Sequence, residues 1–244
     1  MIIHNDPKAI LLHQLLSLYP PPVSQGRKKK LETIITSVYD RVIKRIEFCF
    51  YHIKNKYYRR DGEIFFNPLH ISQWTIFLYE MARALRIHVN AGCNMNTDLL
   101  DEIYGLSKMI SSADIYYEVN MPDIWFCDHP QGSVMGRANY GNFFSFSQGC
   151  TVGNNKGRYP TIGEHVSMLS NSKILGNCHV GDHVIMAANS YVIDQDVPPF
   201  SIVFGVKPNL VIQPISSEKF NALSVFSEAI DFEKYSDYHC SGRK

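Results

Sequence analysis

The chain has little that would commit it to a membrane, to nucleic acid or to an oxidising compartment. No apolar run approaches the roughly 18 residues needed to span a bilayer. The opening Met1-Ile-Ile-His-Asn-Asp-Pro lacks the basic and apolar stretches of a secretory signal. Net charge is only +1, so no overall field drives the molecule onto a polyanion. Cysteine is sparse and scattered: Cys49, Cys93, Cys127, Cys150, Cys178 and Cys240 include no CxxC pair. Free thiols are therefore expected. These absences describe a soluble, cytoplasmic protein that is neither a disulfide scaffold nor a dedicated nucleic-acid binder. Disorder is excluded as well, because 244 residues with 45% hydrophobic side chains suffice for one large domain or two small ones.

The first part of the chain carries a helical period. Leu31, Ile34, Ile35, Val38, Val42, Ile46, Cys49 and Ile53 recur at steps of three and four, with Arg41, Lys44 and Arg45 between them. A shorter helix over Ala9 to Tyr19 precedes this one, ended by Pro20-Pro21-Pro22. Further stripes run through Trp74, Phe77, Leu78, Met81 and Leu85, and through Leu99, Leu100, Ile103, Leu106, Met109 and Ile110, the last opened by Asn96 or Thr97 as a cap. Residues 1–111 thus read as an all-helical domain. The cluster Arg27-Lys28-Lys29-Lys30 and Arg59-Arg60 make it basic, and such runs are ordinarily solvated helix faces.

After about residue 130 the period becomes six. From Ile162 the sequence divides as IGEHVS, MLSNSK, ILGNCH, VGDHVI, MAANSY and VIDQDV. An earlier register gives VMGRAN, YGNFFS and FSQGCT from Val134, and Asn154 to Thr161 interrupts the phase. Each of the six blocks from Ile162 opens with an aliphatic residue, and all but the last have a small or β-branched one at position five. A six-residue unit cannot fold alone, so its apolar residue is buried only when coils stack. Three hexapeptides per turn give a prism of short parallel strands. The fold class is therefore α+β: a helical domain (1–111), a parallel β-helix (112–213) and a C-terminal tail (214–244).

At Asp128-His129-Pro130-Gln131-Gly132, and in the hexapeptides that follow, the chain resembles the serine acetyltransferase branch of the left-handed β-helix acyltransferases. The loop Asn154 to Arg158-Tyr159-Pro160, the stretch Val197-Pro198-Pro199 and the turn Gly205-Val206-Lys207-Pro208 carry the likeness further. It implies a left-handed helix and an acetyl-CoA-dependent O-acetyltransferase working as a homotrimer, with hexamers formed through the helical domain as a further option. His129 falls on the family's catalytic histidine, and Asp114, fifteen residues earlier, falls on its acidic partner. A hydroxyl attacking a thioester needs a base to take its proton, and a carboxylate to orient that base. Asp128, Arg158 and Tyr159 would contact the acceptor. Ser170, Ala187, Ala188, Gly205 and Lys207 fall where the family's acyl-donor groove runs.

The likeness fails at two points. Tyr159 stands where the family has a loop histidine, and this favours an uncharged acceptor, a sugar of a surface polysaccharide or its precursor, with L-serine as the alternative. Cys240-Ser-Gly-Arg-Lys244 lacks the terminal isoleucine that docks into cysteine synthase, so that complex is not expected. His165, His179 and His183 have no metal-ligand spacing on a β-coil, and no metal is expected. A non-catalytic trimeric scaffold is the remaining reading.

Overall fold

The computed structural model describes residues 1–19, 26–90 and 98–227. In chain order the first region comprises β1 (Ile2–Ile3), α1 (Pro7–Leu18), α2 (Arg27–Tyr51), β2 (Arg59–Arg60), β3 (Glu63–Phe66), α3 (Ile71–Asn90) and α4 (Asp98–Ser111). Asp6 opens α1, its carboxylate accepting from the backbone N–H of Lys8 and Ala9, with Pro7 at the first helical position. The region is not all helical: β1, β3 and β2 form a small sheet. The missed strands are two to four residues long, too short to display an alternation. The stripes otherwise face inward, although Met109 is exposed and Ile53 lies just past the end of α2. The expected stops and caps at Pro20 to Pro22 and Asn96 or Thr97 lie outside the described residues, as do Cys93 and Cys240.

The second region coils through β4 (Trp125–Cys127), β5 (Val134–Met135), β6 (Asn139–Tyr140), β7 (Phe144–Phe146), β8 (Thr151–Gly153), β9 (Thr161–Ile162), β10 (Ser167–Met168), β11 (Lys173–Leu175), β12 (His179–Val180), β13 (Val184–Met186), β14 (Tyr191–Ile193) and β15 (Ser201–Phe204). These strands stack into three faces, β4-β7-β10-β13-β15, β5-β8-β11-β14 and β6-β9-β12. All their pairings are parallel. Val152, Ile174 and Val192 share one register, and Ile162 pairs with Val180 on another face, so each opening apolar residue of the repeat sits on its counterpart and is buried. The first block departs from this. Met135, not Val134, pairs with Val152 and is buried, while Val134 is exposed. An antiparallel strand, β16 (Val211–Pro214), closes the first face against β15.

The end of the described chain is not a loose tail. Helix α5 (Ser217–Leu223) buries Phe220 against the β-helix. Phe226 joins the main core and bridges to Ile53. That core is continuous through both regions. A buried ion cluster also joins them, since Arg45 of α2 contacts Glu80 of α3 at 3.5 Å and Asp123, just before β4, at 3.0 Å. Among the described residues no helix is long and apolar enough to cross a membrane.

Candidate active site

The corner between the first and second faces carries a continuous edge. The Gly149 amide donates to Gln131 O, Asn171 to Gln148 O and Asn189 to Ser170 O, at 2.8–2.9 Å, and Tyr191 donates to Gly205 O at 2.9 Å. Left-handed backbone recurs there at Gly149, Asn171, Asn189 and Gly205, residue types that adopt it at low cost. Inside the corner, the small side chains of Ser133, Cys150, Ser172 and Ser190 are all buried.

His129 occupies the first step of this edge. In the next coil four residues, 147–150, separate Phe146 from Thr151, whereas six, 128–133, separate their partners Cys127 and Val134. The two additional residues push the turn outward. His129 takes a left-handed φ of 47°, uncommon for a residue with a full side chain, and its side chain is 78% exposed. The structure therefore presents the imidazole at the head of the edge formed by Ser170, Ala187, Ala188 and Gly205, with exposed Lys207 just beyond. Residues separated by up to 78 positions in sequence are aligned by coil stacking alone.

The expected hydrogen bond between Asp114 and His129 is absent. The Tyr104 hydroxyl donates to one Asp114 oxygen at 2.7 Å and Lys108 Nζ to the other at 2.6 Å. Partial burial opposes ionisation, but these two bonds and the Lys108 charge outweigh it and hold the carboxyl below its ordinary range. The backbone of Asp114 is nevertheless tied to the His129 turn, for its amide donates to Ser133 O and its carbonyl accepts from Met135. The acidic group nearest the imidazole is Asp128, with Oδ1 3.8 Å from His129 Nε2. Tyr104 and Lys108 carry no sequence signal for this role, because they follow the helical period of α4 like any other surface residue.

Arg158 and Tyr159 lie at a different corner. Asn155 and Arg158 exchange backbone hydrogen bonds of 3.0 Å, with Lys156 and Gly157 both left-handed, the pattern of a two-residue hairpin. It projects between β8 and β9, at the junction of the second and third faces, so one chain does not bring Arg158 or Tyr159 to His129. The third corner accounts for two of the repeat histidines. Phe143, His165, His183 and Phe200 stack in a column with centroids 4.1, 4.7 and 4.5 Å apart. His179 is held apart from them, its amide donating to Asp196.

No protein-family model matches the chain. Over 113 residues, 44% of the chain, it is 34% identical to serine acetyltransferase of Staphylococcus epidermidis. It spans about half the length (53%) of that relative. The crystal structure of Neisseria gonorrhoeae serine acetyltransferase superposes on 94% of the chain and 86% of its own, with a TM-score of 0.64 and 23% identity. A serine acetyltransferase in complex with CoA covers 86% of both chains, with a TM-score of 0.61 and 19% identity. Over the matched stretch the chain is similar to serine acetyltransferases. The likeness in fold extends over the helical region as well as the coils, and the coils are those of a left-handed β-helix.

Proposed function

We propose that this protein is an acetyl-CoA-dependent O-acetyltransferase whose acceptor is L-serine. One observation carries the reading: coil stacking aligns the exposed His129 with a strip of small residues, Ser170, Ala187, Ala188 and Gly205, in a chain whose relatives are serine acetyltransferases. Small side chains leave room for a pantetheine arm against backbone, and Lys207 at the end of the strip suits a phosphate. A neighbouring structure in complex with CoA and another in complex with serine support both substrates.

His129 takes the proton of the acceptor hydroxyl as its oxygen attacks the thioester carbonyl. The C–S bond then breaks, and the imidazolium returns the proton to the departing thiolate. Asp114, kept ionised by Tyr104 and Lys108, stabilises the imidazolium through space. Asp128 matches the ammonium of serine and Arg158 its carboxylate. Because Arg158 and Tyr159 stand at another corner, a second copy must supply them, as in a homotrimer with three equivalent clefts. The uncharged saccharide acceptor expected from Tyr159 is replaced by L-serine, since the relatives support serine and two oppositely charged residues suit a zwitterion.

The test is CoA thiol release by purified protein with L-serine and, in parallel, free and nucleotide-linked sugars. Saturable turnover with serine is expected. Turnover only with a sugar would overturn the acceptor, and silence with every acceptor would overturn the activity.

A further inference from the structure

Asp128 has neighbours in the helical region that the chemistry above leaves unused. Tyr58 is wholly buried, and its hydroxyl has no hydrogen-bond partner. His70 is half-buried, and its Nδ1 is likewise sealed from solvent and unpartnered. The two rings touch, with centroids 6.0 Å apart. Phe50 and Phe126 hold Tyr58 edge-on at 4.7 and 5.7 Å, and Tyr57 packs on His70 at 5.5 Å. His70 is further fixed by the start of α3, where its carbonyl accepts from the Trp74 amide. Phe126, which packs on Tyr58 at 5.7 Å, lies two residues before Asp128, and the Cys127 thiol donates at 3.6 Å to the carbonyl of Ser72, two residues after His70, so the pair borders the head of the catalytic edge. A buried polar atom without a partner costs about 1–3 kcal/mol, and native proteins retain such groups chiefly where they serve a purpose.

We propose that His70, with Tyr58 behind it, is a positioning residue for Asp128: both donate hydrogen bonds to the carboxylate when the acceptor binds, and aim it at the acceptor's ammonium. The inference rests on the acetyltransferase reading. Catalytic hydrogen bonds often close only in the substrate complex, so long separations in the free protein are compatible with it. Burial keeps His70 neutral, more strongly than Asp128 favours its protonation, with His129 acting in the same sense as burial. A neutral donor orients Asp128 without cancelling the negative charge that serine requires.

Steady-state kinetics of His70→Phe, His70→Asn and Tyr58→Phe test this, with thermal unfolding as the check on folding. Phenylalanine keeps the Tyr58 ring and an aromatic ring at position 70 but removes the donor. The expected result is a KM for serine raised about tenfold in H70F and about threefold in Y58F, near the worth of one hydrogen bond. The KM for acetyl-CoA should stay within twofold, and asparagine at position 70 should restore most of the serine affinity. A merely structural role would lower unfolding temperature and active fraction without separating the two KM values. An unchanged serine KM in H70F and Y58F beside an active wild type would overturn this inference alone. An inactive wild type would overturn the acetyltransferase reading and this inference with it.

Discussion

The two regions of the molecule bury apolar surface by opposite means. In the β-helix each coil contributes the same few positions, so Val152, Ile174 and Val192 form one file and Ser133, Cys150, Ser172 and Ser190 another. In the helical region the described contacts are of many kinds. Trp74 stacks on Phe77 at 4.8 Å, Tyr79 meets Trp125 edge-on, and Arg45 is buried between Glu80 and Asp123. The difference divides labour at the site. Repetition makes a straight edge, while the irregular region supplies singular side chains such as Tyr104 and Lys108, which hold Asp114 beside the His129 turn.

Removing His129 should separate the two regions most sharply. His129→Ala is expected to lower turnover by about 100- to 10,000-fold while leaving the unfolding transition in place, because so exposed a side chain supports neither core. Thiol release and calorimetry on one preparation check both halves.

Core substitutions should affect the two regions through different physics. Arg45→Ala removes the cation that links Glu80 to Asp123, which should cost about 3–5 kcal/mol. Ile174→Ala leaves a cavity in a file flanked above and below, costing about 2–5 kcal/mol. Urea unfolding should register both as single transitions, since one core runs through both regions; a separate early transition in either variant would break that continuity.

Acid should act first where the regions meet. His52, buried beside Phe143 of the β-helix, has its pKa lowered by burial from 6.5 to about 4. Between those values the unfolded chain binds a proton that the folded chain refuses. Its contribution is therefore constant above about pH 6.5 and is lost as pH falls toward 4. His52→Phe should flatten the stability profile across that window. The smallest effect is expected at Lys108→Ala, which leaves Asp114 held by Tyr104 alone and should lower kcat severalfold with little change in either KM.

The hexapeptide phase made most of the β-helix legible, because a buried apolar file demands the same residue class every six positions. It misplaced only the first block, where Met135 rather than Val134 turns inward. The stacking of Ser170, Ala187, Ala188 and Gly205 along one edge was legible for the same reason: it follows from counting coils. The Asp114 contact was not, since spacing brings its backbone beside the His129 turn but says nothing of Lys108 and Tyr104 arriving from α4. The short strands β1, β2 and β3 escaped notice, as did His70 and Tyr58, whose nearness to Asp128 arises from irregular packing that no periodicity encodes.

The most direct test of the edge as the acyl-donor groove is steady-state kinetics of Ala188→Trp. Ala188 is exposed on that edge and outside the core, so an indole there should fill the groove without disturbing the coils. The account predicts a KM for acetyl-CoA raised at least tenfold, with the KM for serine and the unfolding temperature nearly unchanged. An unaltered KM for acetyl-CoA in a folded A188W protein would contradict it.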